Sequence, residues 1–280
     1  MIGIELARQW RRPRTLVTFA ALASFTLVLT VALAASGGDR LQRVGDIPLF
    51  VVPDRSGIAV AVIALASTMK FFLPLAVAVF AGESVAGDAG WGSLRYALAR
   101  PVSRTRYLLS KLVVALGFSI AAVVLVPLAA LVAGTVAFGW HPFTAIDGSA
   151  STAIHSTIVT FASGAALARL GIGTAYVAAG MTSIFAFAFL LSTLTTRPFA
   201  AVAGGVGLTI VSRVLNADYL PGVAVLNHWM PNNDVDLWQH FFQDPYDTTG
   251  MGHFLALQLI YAGTFLAAAW WWFNRKDILT

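Results

Sequence analysis

Long uninterrupted apolar blocks dominate this chain, separated by short polar stretches. A bilayer core about 30 Å thick is crossed by roughly 20 mostly apolar residues in a helix. Six blocks approach or exceed that length: 15–35, 58–81, 112–138, 170–194, 199–215 and 254–273. The first contains no charged residue, and four arginines, Arg8, Arg11, Arg12 and Arg14, precede it. It is longer than the apolar core of a secretory signal, about 7–15 residues, so it reads as a retained first span. The fourth and fifth blocks are parted only by Thr195-Thr196-Arg197-Pro198, where a proline after an arginine predicts a tight helical hairpin. Pro74 and Pro127 fall inside blocks and predict kinks, and Gly204, Gly205 and Gly207 give the fifth block a face for close helix approach.

Composition agrees with the pattern. The chain has 280 residues, 58% hydrophobic and 11% charged, where a soluble domain carries about 25% charged residues. With no cysteine, disulfide frameworks and thiolate metal sites are excluded. The expected architecture is an all-α polytopic membrane protein forming one transmembrane domain over residues 1–280, with six spans.

Charge placement orients it. With the N-terminus in the cytoplasm, the inner pieces hold twelve of the eighteen basic residues: Arg8, Arg11, Arg12, Arg14, Arg95, Arg100, Arg104, Arg106, Lys111, Arg197, Arg275 and Lys276. Only four acids, Glu5, Glu83, Asp88 and Asp277, share that side, and the other nine lie outside. Both termini are then cytoplasmic, and the basic pI of about 9.9 requires no nucleic-acid partner. In residues 1–14, Ile2, Leu6 and Trp10 share one helical stripe while Arg8, Arg11 and Arg12 fall largely away from it, as in a helix lying on the inner leaflet among anionic headgroups.

The candidate chemistry is sparse. Lys70 sits near the centre of the second block, where a lysine costs on the order of 3 kcal/mol and should face the bundle or a wet cavity. There it either attracts an anionic group on a transported molecule or is satisfied by carbonyls. Ser67-x-x-Lys70 matches a serine–lysine hydrolase signature by spacing alone, without the companion motifs. The five histidines, His141, His155, His228, His240 and His253, show no compact metal-ligand spacing. The aromatics of 216–253, Tyr219, Trp229, Trp238, Phe241, Phe242 and Tyr246, are placed at the headgroup level or in short helices dipping into the outer leaflet. No GxxxxGK[ST] loop occurs, no buried carboxylate chain suggests a proton relay, and no two-fold repeat is visible.

Residues 82–106 are the most informative stretch. Gly82, Gly87, Gly90 and Gly92 open it as a hinge, a short helical patch follows over 93–99, Pro101 stops that patch, and Ser103 can cap the next helix. Such a stub can dock onto a cytoplasmic protein, and it also fits an ordinary basic inner loop. Its residues carry a resemblance. Glu83, then Gly92-Ser93-Leu94-Arg95-Tyr96-Ala97-Leu98-Ala99-Arg100-Pro101-Val102-Ser103-Arg104 with Leu109 and Lys111, resembles the E…GTL…LL…PVSR…LL..K pattern of the six-span permeases of type-2 ABC exporters. The basic N-terminal helix, the Leu191-Ser192-Thr193-Leu194-Thr195-Thr196-Arg197 turn and the Phe273-Asn274-Arg275-Lys276-Asp277 ending are similar to that family as well. Ser93 stands where the family more often has threonine.

The resemblance implies a transport subunit, not an enzyme, in a prokaryotic plasma membrane. It would pair with a second permease, the same chain or a paralogue, on two separate ATP-binding subunits that carry the ATP and Mg; this chain would bind no cofactor. Glu83, Gly92, Ser93, Leu94, Arg95, Tyr96, Leu98, Arg100 and Pro101 would form the coupling segment, residues 1–14 the elbow helix, and 216–253 re-entrant helices at the outer exit. The cargo would be hydrophobic or amphipathic: a drug, an antibiotic or a lipid-like molecule. A second reading is a membrane-embedded enzyme or maturation factor working through its outer aromatic and histidine-containing loops.

Overall fold

The computed structural model describes residues 2–35, 49–51, 56–90, 103–147, 157–215 and 229–275. Nine α-helices among them run in chain order: α1 Ile2–Trp10, α2 Pro13–Ala35, α3 Gly57–Thr68, α4 Phe72–Gly90, α5 Arg104–Phe138, α6 Ser163–Gly180, α7 Thr182–Leu194, α8 Pro198–Leu215 and α9 Met251–Arg275. Six helical segments are long and apolar enough to cross a membrane: α2, α4, α5, α6 with α7, α8 and α9. Side chains on their outer faces, Val28, Val136, Phe199 and Leu259 among them, are exposed in the isolated chain. Apolar surface on that scale calls for lipid.

The helices alternate in direction, so the molecule has two distinct ends. The charged end gathers α1, the end of α4, the start of α5, the α7–α8 turn and the end of α9. There Arg104 donates to the Asn274 carbonyl at 3.1 Å, and Tyr107 stacks on Phe273 at 6.0 Å. Trp10, Phe19, Phe80 and Phe118 form an aromatic cluster just inside it, with ring centroids 5.5–6.2 Å apart. The opposite end carries a three-stranded antiparallel sheet, β1 Leu49–Val51, β2 Phe143–Asp147 and β3 Thr157–Phe161, in that order. Leu49 pairs with Asp147 and Phe143 with Phe161. The sheet is a small addition at this end, and every membrane-length segment among the described residues is helical. Its anchor is Phe143, which is buried between Phe161 and Phe242.

Two expected spans are broken. The 58–81 block is two helices, α3 and α4, with a turn over 69–71. Pro74 explains it: it has no amide for the Lys70 carbonyl, and its ring crowds that group. The 170–194 block starts earlier, at Ser163, and divides at Met181. Here the cause is distant in sequence. The Ser183 amide donates to Gln258 Oε1 on α9 at 3.2 Å, so a foreign side chain enters the helical ladder. The α7–α8 turn follows expectation, with Pro198 as the first residue of α8 and Thr195 Oγ1 accepting from the Arg197 amide at 3.0 Å. Ser103 caps α5 as expected, accepting from the Arg106 amide at 3.4 Å. That cap starts α5 eight residues before the apolar block, and the helix runs unbroken past Pro127.

The expected glycine hinge at 82–90 is absent, because α4 continues helical through Gly90. Its glycines serve packing. A Cβ on Gly82 would lie 2.9 Å from the Val202 amide nitrogen, and one on Gly90 would lie 2.8 Å from the Thr196 carbonyl oxygen. Gly205 makes the expected close approach from α8, facing Ala188 and Ala78, whereas Gly207 faces open space.

Candidate functional site

The charged end holds a buried ion cluster built from three helices. α1 is amphipathic in an unusual sense. Ile2, Ile4, Leu6 and Trp10 are exposed, while Glu5 and Gln9, four residues apart, are buried against the bundle. Glu5 thereby reaches Lys111 of α5, whose Nζ lies 2.6 Å from Glu5 Oε1 and 2.5 Å from Asp88 Oδ2. Lys111 and Asp88 are each 1% exposed. Asp88 also accepts from Arg12 at 3.0 Å, from Arg8 at 3.4 Å and from the Tyr107 hydroxyl at 2.9 Å. Three cations thus face two carboxylates, and the phenol of Tyr107 completes the shell.

Local sequence explains the approach. Gly87, one residue before Asp88, presents no side chain to the arginines, and a Cβ there would come 3.4 Å from Arg14 NH2. One turn earlier on α4, Glu83 pairs with Arg14 at 2.5 Å in a more exposed setting, the side chains being 22% and 28% exposed. Between these carboxylates, Ser192 of α7 accepts from the amides of Val85 at 3.0 Å and Ala86 at 2.8 Å, and Ser84 donates to the Ala81 carbonyl. The last two turns of α4 are therefore held by α1, α2, α5 and α7 together.

The cluster flanks residues 91–102: Asp88 lies just before that stretch, Tyr107 and Lys111 just after it. Of the expected coupling residues, Glu83 is placed, facing Arg14. Gly92, Ser93, Leu94, Arg95, Tyr96, Leu98, Arg100 and Pro101 lie outside the described residues. Lys70 stands in the α3–α4 turn, half-buried, beside exposed Phe71 and next to Phe72, whose ring meets Phe25 at 4.4 Å. The chain does not bring Lys70 to the ion cluster, which lies at the far end of α4.

At the sheet end a 3₁₀ helix, Asp234–Phe242, is seated among the helices. The Trp238 indole donates to Met69 Sδ at 3.0 Å, and a Cβ on Gly173 would meet its ring at 2.9 Å. Val235 packs on Gly180, Tyr176 donates to the Asp234 carbonyl, and Gln258 donates to the Pro231 carbonyl. Arg169 holds the far end through the carbonyls of Phe241 and Gln243, at 2.9 and 2.8 Å. Part of 216–253 is thus packed into the bundle. Trp238 and Phe242 are fully buried in protein, because small residues on α6 make room for them, while Trp229 and Tyr246 are exposed. Tyr219 and residues 216–228 lie outside the described residues, as do His155 and His228. Among the described residues, no three His, Cys, Asp or Glu side chains come together as a metal cluster.

Residues 46–279 match the family DUF2705, whose description is "Protein of unknown function". This chain belongs to that family. Among curated proteins, none matches the chain. The match covers α3 to α9 and so takes in Asp88, Tyr107 and Lys111, half of the residues of the ion cluster. α1, which supplies Glu5 and Arg8, and the α1–α2 turn, which supplies Arg12, precede it.

The cluster had a partial signal in the sequence. Glu5 and Gln9 stand four residues apart as a polar pair on α1 beside the Ile2–Leu6 stripe, and Asp88 and Lys111 are single charges bordering apolar blocks. Nothing local says that they meet: Lys111 and Glu5 are 106 positions apart.

Proposed function

We propose that this DUF2705 protein is the membrane-spanning permease subunit of an ATP-driven type-2 ABC exporter, forming the path for a hydrophobic or amphipathic substrate in a prokaryotic plasma membrane. The observation that carries this reading is the buried ion cluster at the two roots of residues 91–102. A segment that receives force from another protein needs roots that do not yield, and Asp88 and Lys111 join those roots directly. The resemblance of 83–111 to the coupling region of such permeases points the same way, with Ser103 acting as the helix cap that the PVSR motif suggests. α1, with its apolar face outward and polar face on the bundle, suits a helix at the membrane surface. The concentration of basic residues at the charged end favours the cytoplasmic side.

On this reading, ATP and Mg are held by two separate subunits, and their closure pushes on 91–102. α4 carries the motion towards the break at 69–71, where Lys70 stands ready for an anionic part of the cargo. A groove of about 500 Å³ between α5 and α6, lined by Pro127, Leu131, Leu170 and Ala175, offers an apolar passage from the lipid.

Purification of the tagged chain from native membranes tests the assignment: an ATP-binding subunit should accompany it. Leu94 and Leu98 changed together to Asp should abolish stimulation of that ATPase while the variant is still inserted and folded. Wild-type stimulation in the double variant, or the absence of any ATP-binding partner, would overturn the reading.

A further inference from the structure

We propose that Arg213 and Thr209 of α8, with Lys70 of the α3–α4 turn, bind a phosphate group, either the headgroup of an anionic amphiphile or the free ion. Arg213 stands two residues before the end of α8. Its Nε and Nη2 are covered by protein, and neither has a hydrogen-bond partner among the described residues. One turn earlier, Thr209 is 3% exposed and its Oγ1 is unmatched as well. Other threonines in these helices satisfy themselves: the hydroxyls of Thr26, Thr30 and Thr174 donate to the carbonyl four residues back. Residues four apart share a helix face, so the free hydroxyl and the guanidinium belong to one row.

Helix register brings Lys70 to the same level. α4 and α8 run antiparallel, with Gly82 against Val202 and Gly205 against Ala78. Arg213 is eight residues past Gly205, and Lys70 is eight before Ala78. The Leu75 amide still donates to the Phe71 carbonyl at 3.0 Å, so the helical course of α4 reaches back to the turn that holds Lys70. Two cations thus stand level with each other at the end of α4 opposite the ion cluster. Among the described residues, no carboxylate pairs with either of them.

The ligand's chemistry follows from the atoms offered. Nε and Nη2 form one edge of the guanidinium, the fork whose parallel N–H bonds fit two oxygens of one oxyanion. An arginine reaching for water would extend that fork outward; here both atoms are covered. Unmatched buried donors are costly, and a cation within a membrane bundle more so. A cation or an apolar ligand would leave the fork as it is, so the site calls for an anion. The Thr209 hydroxyl and the Lys70 ammonium supply donors beyond the two that a carboxylate can use, which suits a tetrahedral phosphate. Ile210, Val211, Val214 and Phe71 nearby are exposed, so acyl chains can lie in lipid while a headgroup meets the fork. As a cargo headgroup, the phosphate names the anionic group that the exporter reading assigns to Lys70 and rests on that reading; as a resident lipid or a free ion it does not.

The test is thermal unfolding of the detergent-purified full chain, which needs no ATPase partner and so can fail while the exporter reading stands. Short-chain phosphatidylglycerol is titrated against short-chain phosphatidylcholine, and sodium phosphate against sodium chloride at constant ionic strength. The proteins are the wild type, Arg213→Gln, Lys70→Met and Thr209→Val. The anionic lipid, the phosphate ion or both should raise the unfolding midpoint saturably above the control. The apparent Kd should be roughly tenfold or more weaker in Arg213→Gln and Lys70→Met, and severalfold weaker in Thr209→Val. A response to the lipid alone identifies a headgroup site, and a response to inorganic phosphate shows that the free ion suffices. If neither probe exceeds its control, the proposal is overturned. An apparent Kd unchanged in either charge variant, as for lipid held by the arginines of the charged end, overturns it too. Should Arg213→Gln fail to fold, Lys70→Met and Thr209→Val, which keeps the side chain's shape, decide in its place.

Discussion

Replacing Asp88 with asparagine probes the ion cluster most directly. The side chain keeps its shape but loses its charge, so Lys111 is left with Glu5, and Arg8 and Arg12 lose their closest carboxylate. Removing one partner of a fully buried ion pair costs about 3–5 kcal/mol, mostly because the other charge is left buried without compensation. Lys111 retains Glu5 at 2.6 Å, so the lower end applies, about 3 kcal/mol. For a chain of this size each kcal/mol moves the melting midpoint by roughly 2–4 °C, which makes the expected fall about 6–12 °C. Thermal unfolding in detergent, followed by circular dichroism, measures it. Because both groups are only 1% exposed, the loss should hardly change with added salt, unlike that of a surface pair.

A double-mutant cycle separates pairing from a general defect. Lys111→Met alone leaves Asp88 with Arg8, Arg12 and Tyr107. The double variant Asp88→Asn, Lys111→Met removes both members of the closest pair, so it should be more stable than the sum of the single losses implies, by about 1 kcal/mol or more. Additivity within about 0.5 kcal/mol would refute a direct Asp88–Lys111 coupling. So would an Asp88→Asn protein that melts with the wild type.

Two further outcomes follow from the same helix. Glu83→Gln breaks the partly exposed pair with Arg14 and weakens the attraction to Arg12, and should cost no more than about 1 kcal/mol; a loss as large as that of Asp88→Asn in the same melting assay would contradict the contrast drawn between the two carboxylates. Gly82→Val puts a branched side chain 2.9 Å from the Val202 amide, and overpacking of that kind costs about 1–3 kcal/mol, so α4 and α8 should separate, giving a lowered midpoint and faster protease cleavage near the α7–α8 turn; an unchanged midpoint would show that the two helices have room to spare.

The parts of the fold legible in the sequence are those set by local chemistry. Six crossings could be read because about 20 apolar residues in a row leave the chain no other stable arrangement in lipid. The Ser103 cap and the Pro198 helix start depend on neighbours one to three residues away, and both follow expectation. Pro74 was visible as a disturbance, but whether it would bend one helix or divide two depends on what packs beside it. The Met181 break was not legible, because its cause, Gln258, is 75 positions from the amide it captures. The sheet was hidden for a similar reason: β1 is three residues long and gains meaning only from pairing with β2. The ion cluster sits between these cases. Its charges stood out against apolar surroundings, but their pairing is a product of the folded bundle.

The two ends of α4 are built for different tasks. At its last turns, Asp88 is joined to α1 and α5, Glu83 to Arg14, and Ser192 holds the amides of Val85 and Ala86. A Cβ-free contact at Gly82 locks α4 to α8 just above. No slack remains there, so a displacement at Gly90 must travel along α4 as a whole. The first turn of α4 is held differently: Pro74 removes one backbone rung, and the contacts here are side-chain ones, Phe72 on Phe25 and Met69 under the Trp238 indole, without an ion pair among the described residues. The turn at 69–71 leaves Lys70 half-buried and places Met69 under the Trp238 indole. The same break thus sets the fully buried Met69 against the 3₁₀ helix, whose Trp238 indole donates to its sulfur, at the opposite end of α4 from the ion cluster.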